Sequence, residues 1–144
     1  MTSARRELLE PRHRFFLNPY EDHAFTMCPS CDAPTRVRKH CLVIHVEPRH
    51  LLVLNKTCRY CPPCDLLIAR RGELEQQLVA CWMERDPSVV GNEYTVLGTV
   101  DRAVWRRAMR EDVMPGELVG MLHPLAELLD IRMDPGGWRF PPGR

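Results

Sequence analysis

Two stretches of this chain repeat one five-residue pattern: CPSCD at residues 28–32 and CPPCD at residues 61–65 agree at four of five positions, as C-P-x-C-D. A C-x-x-C segment can close as a tight knuckle, whose turn aims two sulfurs at one ion while nearby main-chain N–H groups hydrogen-bond them. Proline in the second position suits that turn, because its ring fixes φ and removes an N–H that would otherwise need a partner. Two such knuckles, thirty residues apart, predict four thiolates around one metal ion: Cys28, Cys31, Cys61 and Cys64. A further cysteine, Cys58, leaves a second register open, in which CRYC (residues 58–61) is the downstream knuckle and Cys64 is released.

The chain between the knuckles reads as two strands. The first, from Arg36 to Glu47, is rich in β-branched residues; the second, from His50 to Lys56, is a short apolar run, and EPRH between them carries turn chemistry. A hairpin with its turn at Pro48 returns the chain to the first knuckle, which is what a shared ion requires. Leu66 to Ala69 supplies a third strand. In these features residues 26–70 resemble the zinc-ribbon fold group, in which two CxxC knuckles are joined through a β-hairpin. The resemblance implies a structural zinc ion held by Cys28, Cys31, Cys61 and Cys64, with Cys58 as the alternative ligand. The four-cysteine pattern is also similar to rubredoxin, an iron electron carrier. Rubredoxin knuckles carry glycine after the second cysteine, where this chain has Asp32 and Asp65, and aspartate tolerates positive φ better than most residues.

A length of 144 residues suits one compact unit with one modest core. No apolar run is long enough to cross a bilayer, and the first residues lack the apolar centre and cleavage pattern of a secretory signal. The expectation is a soluble, cytoplasmic protein. In a reducing compartment seven cysteines, an odd number, read as metal ligands and core fillers rather than disulfides. Cys41, on the first strand, and Cys81, on a helical pattern, are expected in the core. A thioredoxin-type dithiol would sit at a helix N-terminus; the first knuckle runs instead into Pro34.

The formal net charge is +1, but residues 1–60 carry ten Arg or Lys against six acids and residues 61–144 ten against thirteen. Four thiolates with a divalent ion leave a charge of −2, which nearby cations stabilise. Arg36, Arg38, Lys39 and His40 at the start of the first strand, and Lys56 and Arg59 at the end of the second, are placed to do so. With Tyr60 as a flat side chain among cations, Arg36, Arg38, Lys39, Lys56, Arg59 and Tyr60 also form a candidate nucleic-acid-binding face. The alternative is that these cations only neutralise the site and the protein is an adaptor that contacts other proteins.

The remaining segments predict an α+β extension over residues 71–140, packed with the ribbon as one unit. A helix from Gly72 to Arg85 carries Leu74, Leu78, Cys81 and Trp82 on one face. EYTVLGTV reads as a strand. The segment from Asp101 to Asp112 reads as a helix with Asp101 as N-cap and Val104, Trp105 and Ala108 inward. A further helix begins at Pro115, carries Leu118, Leu122, Leu125 and Leu129, and bends at Pro124. Residues 131–140 read as a hairpin turning over Asp134 to Gly137, with Trp138 and Phe140 apolar; residues 141–144 read as disordered. Residues 1–25 form an irregular segment whose Phe15, Phe16, Tyr20 and Phe25 pack on the ribbon. The expected fold class is therefore α+β, an N-terminal three-stranded antiparallel zinc ribbon with a small helix-and-strand extension. The motifs of common hydrolases and nucleotide-binding enzymes are missing, so the expected role is non-catalytic, with nucleic acid or protein as partner, no membrane, and the oligomeric state left open.

Overall fold

The computed structural model describes residues 9–110, 113–134 and 137–139. The two expected strands of the hairpin form, β2 over Arg36–Val46 and β3 over His50–Cys61, and they pair antiparallel along their length from Arg36↔Tyr60 to Val46↔His50. β4, Leu66–Arg70, pairs antiparallel with the end of β3. These three strands do not stand alone as a ribbon. They are the middle of a curled, mixed seven-stranded sheet, and this overturns the reading of a small three-stranded sheet with an appended extension.

Strands from both ends of the chain complete the sheet. β1, Arg14–Asn18, lies parallel to β4 and places Phe15 and Phe16 on opposite faces, each 1% exposed. β5, Tyr94–Val100, pairs antiparallel with the far half of β2. Two short strands, β6 at His123–Pro124 and β7 at Glu127–Leu129, take the outer positions, β6 against β5 and β7 parallel to β1. Because β6 and β7 are neighbours in sequence, one stretch of chain meets both edges of the sheet. Between them Leu125 N–H donates to Leu97 O at 3.1 Å and Ala126 N–H to His13 O at 2.8 Å.

Three helices cover this sheet. α1, Arg71–Arg85, buries Leu74, Leu78 and Trp82, spaced as one helical face. It packs into the main core with Phe15, Leu42, Ile44, Leu52, Leu67 and Val96. On the other sheet face, α2 (Arg102–Arg110) and α3 (Pro115–Met121) lie over Cys41, Val43 and Val100, with Leu118 and Leu122 buried there and Val104 and Trp105 packed against them. A separate apolar cluster on that face holds Phe16, Phe25, Leu66, Ile68 and Ile131 together with Cys28 and Cys61. No helix among the described residues is long and apolar enough to cross a membrane.

The leucine stripe after Pro115 predicts one bent helix, but the helix ends at Met121: Leu118 lies in it, Leu122 caps it, Leu125 lies between two short strands and Leu129 ends β7. Pro124 has no N–H and disfavours a helical conformation at His123, so the chain leaves α3 at Leu122, which is already extended (φ −87, ψ 133). At the edge of a sheet the same proline is tolerated. The terminal hairpin forms as β8, Arg132–Asp134, against β9, Gly137–Arg139, with Asp134 opposite Gly137. Phe140, the 141–144 tail and residues 1–8 of the N-terminal segment lie outside the described residues.

Candidate metal centre

The first knuckle lies in the loop before β2. Cys28 N–H donates to Ala33 O at 2.7 Å and Asp32 N–H to Cys28 O at 2.9 Å, while Ser30 N–H reaches Cys28 Sγ at 3.3 Å. The bridge between Met27 and Pro34 closes its base. The second knuckle begins on the last residue of β3, Cys61, and turns through a bond from Asp65 N–H to Pro62 O of 3.2 Å. Both turns end in a residue with positive φ, Asp32 at 64° and Asp65 at 52°. That shared conformation gives the repeated aspartate a physical reason, since aspartate enters the left-handed region at less cost than most side chains.

The hairpin register then brings the knuckles together. Cys31 Sγ and Cys61 Sγ are 3.5 Å apart and Cys28 Sγ and Cys64 Sγ 4.0 Å. All four sulfurs lie within 4.8 Å of one another. Metal–sulfur bonds of about 2.3 Å in a tetrahedron put sulfurs roughly 3.8 Å apart, so the spacing matches a four-thiolate ion site. Cys28 and Cys61 are completely buried, Cys64 is half-buried and Cys31 exposed. Burial pushes the Cys61 thiol up to about 12 and also raises Cys64, whereas a backbone hydrogen bond from Ala33 is the main cause lowering Cys31. Thiols this crowded cannot all ionise unless a cation shares the space, so ion binding would release protons.

Cys58 does not join them. It stands three residues before Cys61 on β3, and side chains an odd number apart on a strand face opposite ways. Its Sγ lies in the main core at 3% exposure, bonded to Lys56 O at 3.5 Å, and burial raises its pKa to about 12. The CRYC register is thus closed by the length of β3. Cys41 is buried under α3, and Cys81 packs half-buried on the main core. Neither His13 nor His23 belongs to the cysteine group; the His23 ring packs on Phe25 with centroids 4.3 Å apart.

The basic residues divide. Arg36, Arg38 and Lys39 are exposed on the first half of β2, where β5 does not reach, and no described acid pairs with them. Alternation sets Arg36 and Arg38 on one face and Lys39 on the other. Lys56 is 3% exposed, its Nζ donating to Glu73 Oε1 at 3.0 Å and to Thr57 O at 2.8 Å. Arg59 is half-buried, 3.4 Å from Thr35 O, and Tyr60 donates its hydroxyl to Asp65 Oδ1 at 2.8 Å. A face using all six predicted residues together is therefore not assembled.

One contact had no signal in the sequence. Asp65, the residue that ends the second knuckle, accepts three hydrogen bonds: His13 N–H at 3.0 Å, His13 Nδ1 at 2.7 Å, and Tyr60 Oη. Burial opposes its charged form, but these donors outweigh it and hold its pKa below the ordinary carboxylate range. His13 stands 52 residues away in sequence, with no local pattern to announce the pairing. No protein-family model, curated protein sequence or solved structure matches this chain.

Proposed function

We propose that the protein is a non-catalytic binding module whose fold is held by one zinc ion on Cys28, Cys31, Cys61 and Cys64. The observation that carries this reading is the four-sulfur cluster, with every pair within 4.8 Å. A closed set of four protein ligands leaves no open position for substrate, which is the pattern of structural zinc sites. Iron would fit the same sulfurs, and the two readings separate by colour and metal analysis. A colourless protein with one zinc per chain supports zinc; a red one with iron overturns it.

The partner favoured by the exposed cations is nucleic acid, bound through Arg36, Arg38 and Lys39. These three stand within four residues on a strand half with one open edge, and no described acid competes for them. Phosphate contacts of this kind predict an affinity that drops steeply as salt rises. Fluorescence anisotropy with single-stranded RNA and duplex DNA, at low and physiological salt, tests this. Salt-sensitive binding that disappears when Arg36, Arg38 and Lys39 are changed to Ala supports the reading. Absence of binding at low salt removes it. The adaptor reading would then take its place, since the same open edge can pair with a partner's strand.

A further inference from the structure

On the sheet face that carries the main core, apolar residues give out toward the metal end. Along β2 the series Val46, Ile44, Leu42 is followed by His40, Arg38 and Arg36; along β3, Leu52 and Leu54 are followed by the buried Lys56, with Cys58 still in the core and Tyr60 packed at its margin. His13, just before β1, leans into the same place. Its ring meets His40 edge-on with centroids 5.1 Å apart and Tyr60 at 5.9 Å.

His13 is held unusually firmly. It has φ 70°, a conformation costly for a residue of its size, and both its main-chain N–H and its Nδ1 are bound to Asp65. With Nδ1 engaged, Nε2 is the ring nitrogen left for a further partner. The nearby His40 Nδ1 is buried without a hydrogen-bond partner among the described residues. Burial first, then His13 and Arg38, lower His40 to about 4, so its ring is neutral at neutral pH. Arg38 acts electrostatically on both His40 and Tyr60 yet has no ion-pair partner among the described residues. Arg14 is engaged with Glu127 at 3.1 Å and Arg12 lies near Asp101 at 4.0 Å, whereas Arg36, two residues before Arg38 on the same face, also lacks an acid partner among the described residues but lies further from His40 along β2.

We propose that this end of the curled sheet is a phosphoryl-group site, in which the Arg38 guanidinium and the His13 and His40 rings receive a tetrahedral anion while Asp65 and Tyr60 hold His13 in place. A guanidinium fork takes two oxygens, and the imidazoles of His40, two residues along β2 on the same face, and of His13, from the segment before β1, meet the remaining ones; groups from two separate segments suit a tetrahedral group better than a planar carboxylate. The Asp65 charge is spent on its three donors and so opposes the anion less than a free carboxylate would. A small phosphomonoester and the 5′-phosphate end of a nucleic-acid strand present the same group. The site shares Arg38 with the Arg36–Lys39 edge reading but differs from it in needing His13 and His40 and neither Lys39 nor a long polyanion.

The test is NMR of the imidazole and guanidinium signals of metal-loaded protein, titrated with inorganic phosphate at constant ionic strength and, separately, with acetate. Saturable shifts at His13, His40 and Arg38 with phosphate are expected, with Arg38→Ala weakening binding by about tenfold or more. Arg38 is exposed, so the variant's metal content and melting temperature should match the parent's. Short oligonucleotides with a 5′-phosphate or a 5′-hydroxyl, and phenyl phosphate, then separate the two sources. Preference for the phosphorylated strand over phenyl phosphate assigns a nucleic-acid end, and equal affinity assigns a small phosphomonoester. Equal shifts with acetate, shifts that do not saturate, or shifts unchanged in Arg38→Ala overturn the proposal.

Discussion

Cys58 and Cys61 are both buried, both on β3 and chemically alike, yet the alternation of the strand sends one sulfur into the main core and the other toward Cys31 at 3.5 Å. Cys61→Ser should therefore lose the ion, and Cys58→Ser should keep it, as read by metal content after gel filtration; the reverse pattern would restore the CRYC register. The repeated C-P-x-C-D pattern was enough to pick the four sulfurs, and a β3 drawn through to Cys61 would have removed the ambiguity. Asp32 is exposed at φ 64°, so replacing it with a β-branched residue tests the turn itself: Asp32→Val should cost roughly 1–2 kcal/mol in denaturant unfolding. His40 makes a pH prediction. Its pKa is lowered from 6.5 to about 4, so between those values the unfolded chain holds a proton that the folded state refuses. Stability is lost as pH falls through that window. The melting temperature of the parent should drop more between pH of about 7 and about 5 than that of His40→Gln. Parallel pH curves would contradict this.

At the level of elements, the hairpin, β4, α1 and β5 were legible because each has a local signature: β-branched runs, turn residues or an apolar stripe at helical spacing. The elements that close the sheet had none. Leu118, Leu122, Leu125 and Leu129 fit a helical stripe, but they serve three separate clusters, Leu118 and Leu122 under α3, Leu125 at the main core and Leu129 beside the cysteines. β1 is a five-residue strand paired in parallel on both sides with distant segments, and parallel pairing leaves no turn signal between partners. The contact between β5 and β6 depends on Gly98: a Cβ there would lie 2.1 Å from His123 O, a backbone atom that cannot swing away. Gly98→Ala should lower stability by roughly 1–3 kcal/mol, with loss of amide protection concentrated at Leu125, whose N–H donates to Leu97 O. A variant as stable as the parent would mean that β6 is not held against β5.

For the whole molecule, the four-cysteine cluster is a joint rather than an appendage. Cys61 ends β3, Cys64 and Asp65 lead into β4, and Cys28 packs with Phe16 of β1 and Ile131 near the C-terminal end of the described chain. An ion at this point therefore ties the hairpin to strands contributed by both termini. Four-thiolate zinc sites carry an apparent free energy of about 10–16 kcal/mol, as large as the whole net stability of a typical domain, about 5–15 kcal/mol. The most direct test is metal content by native mass spectrometry, followed by circular dichroism and thermal melting before and after complete chelation under reducing conditions. One zinc per chain, with loss of the cooperative melt on chelation and recovery on adding zinc back, is the predicted result. A metal-free chain with the same spectrum and the same melting temperature would contradict the claim that the four cysteines hold an ion on which the fold depends.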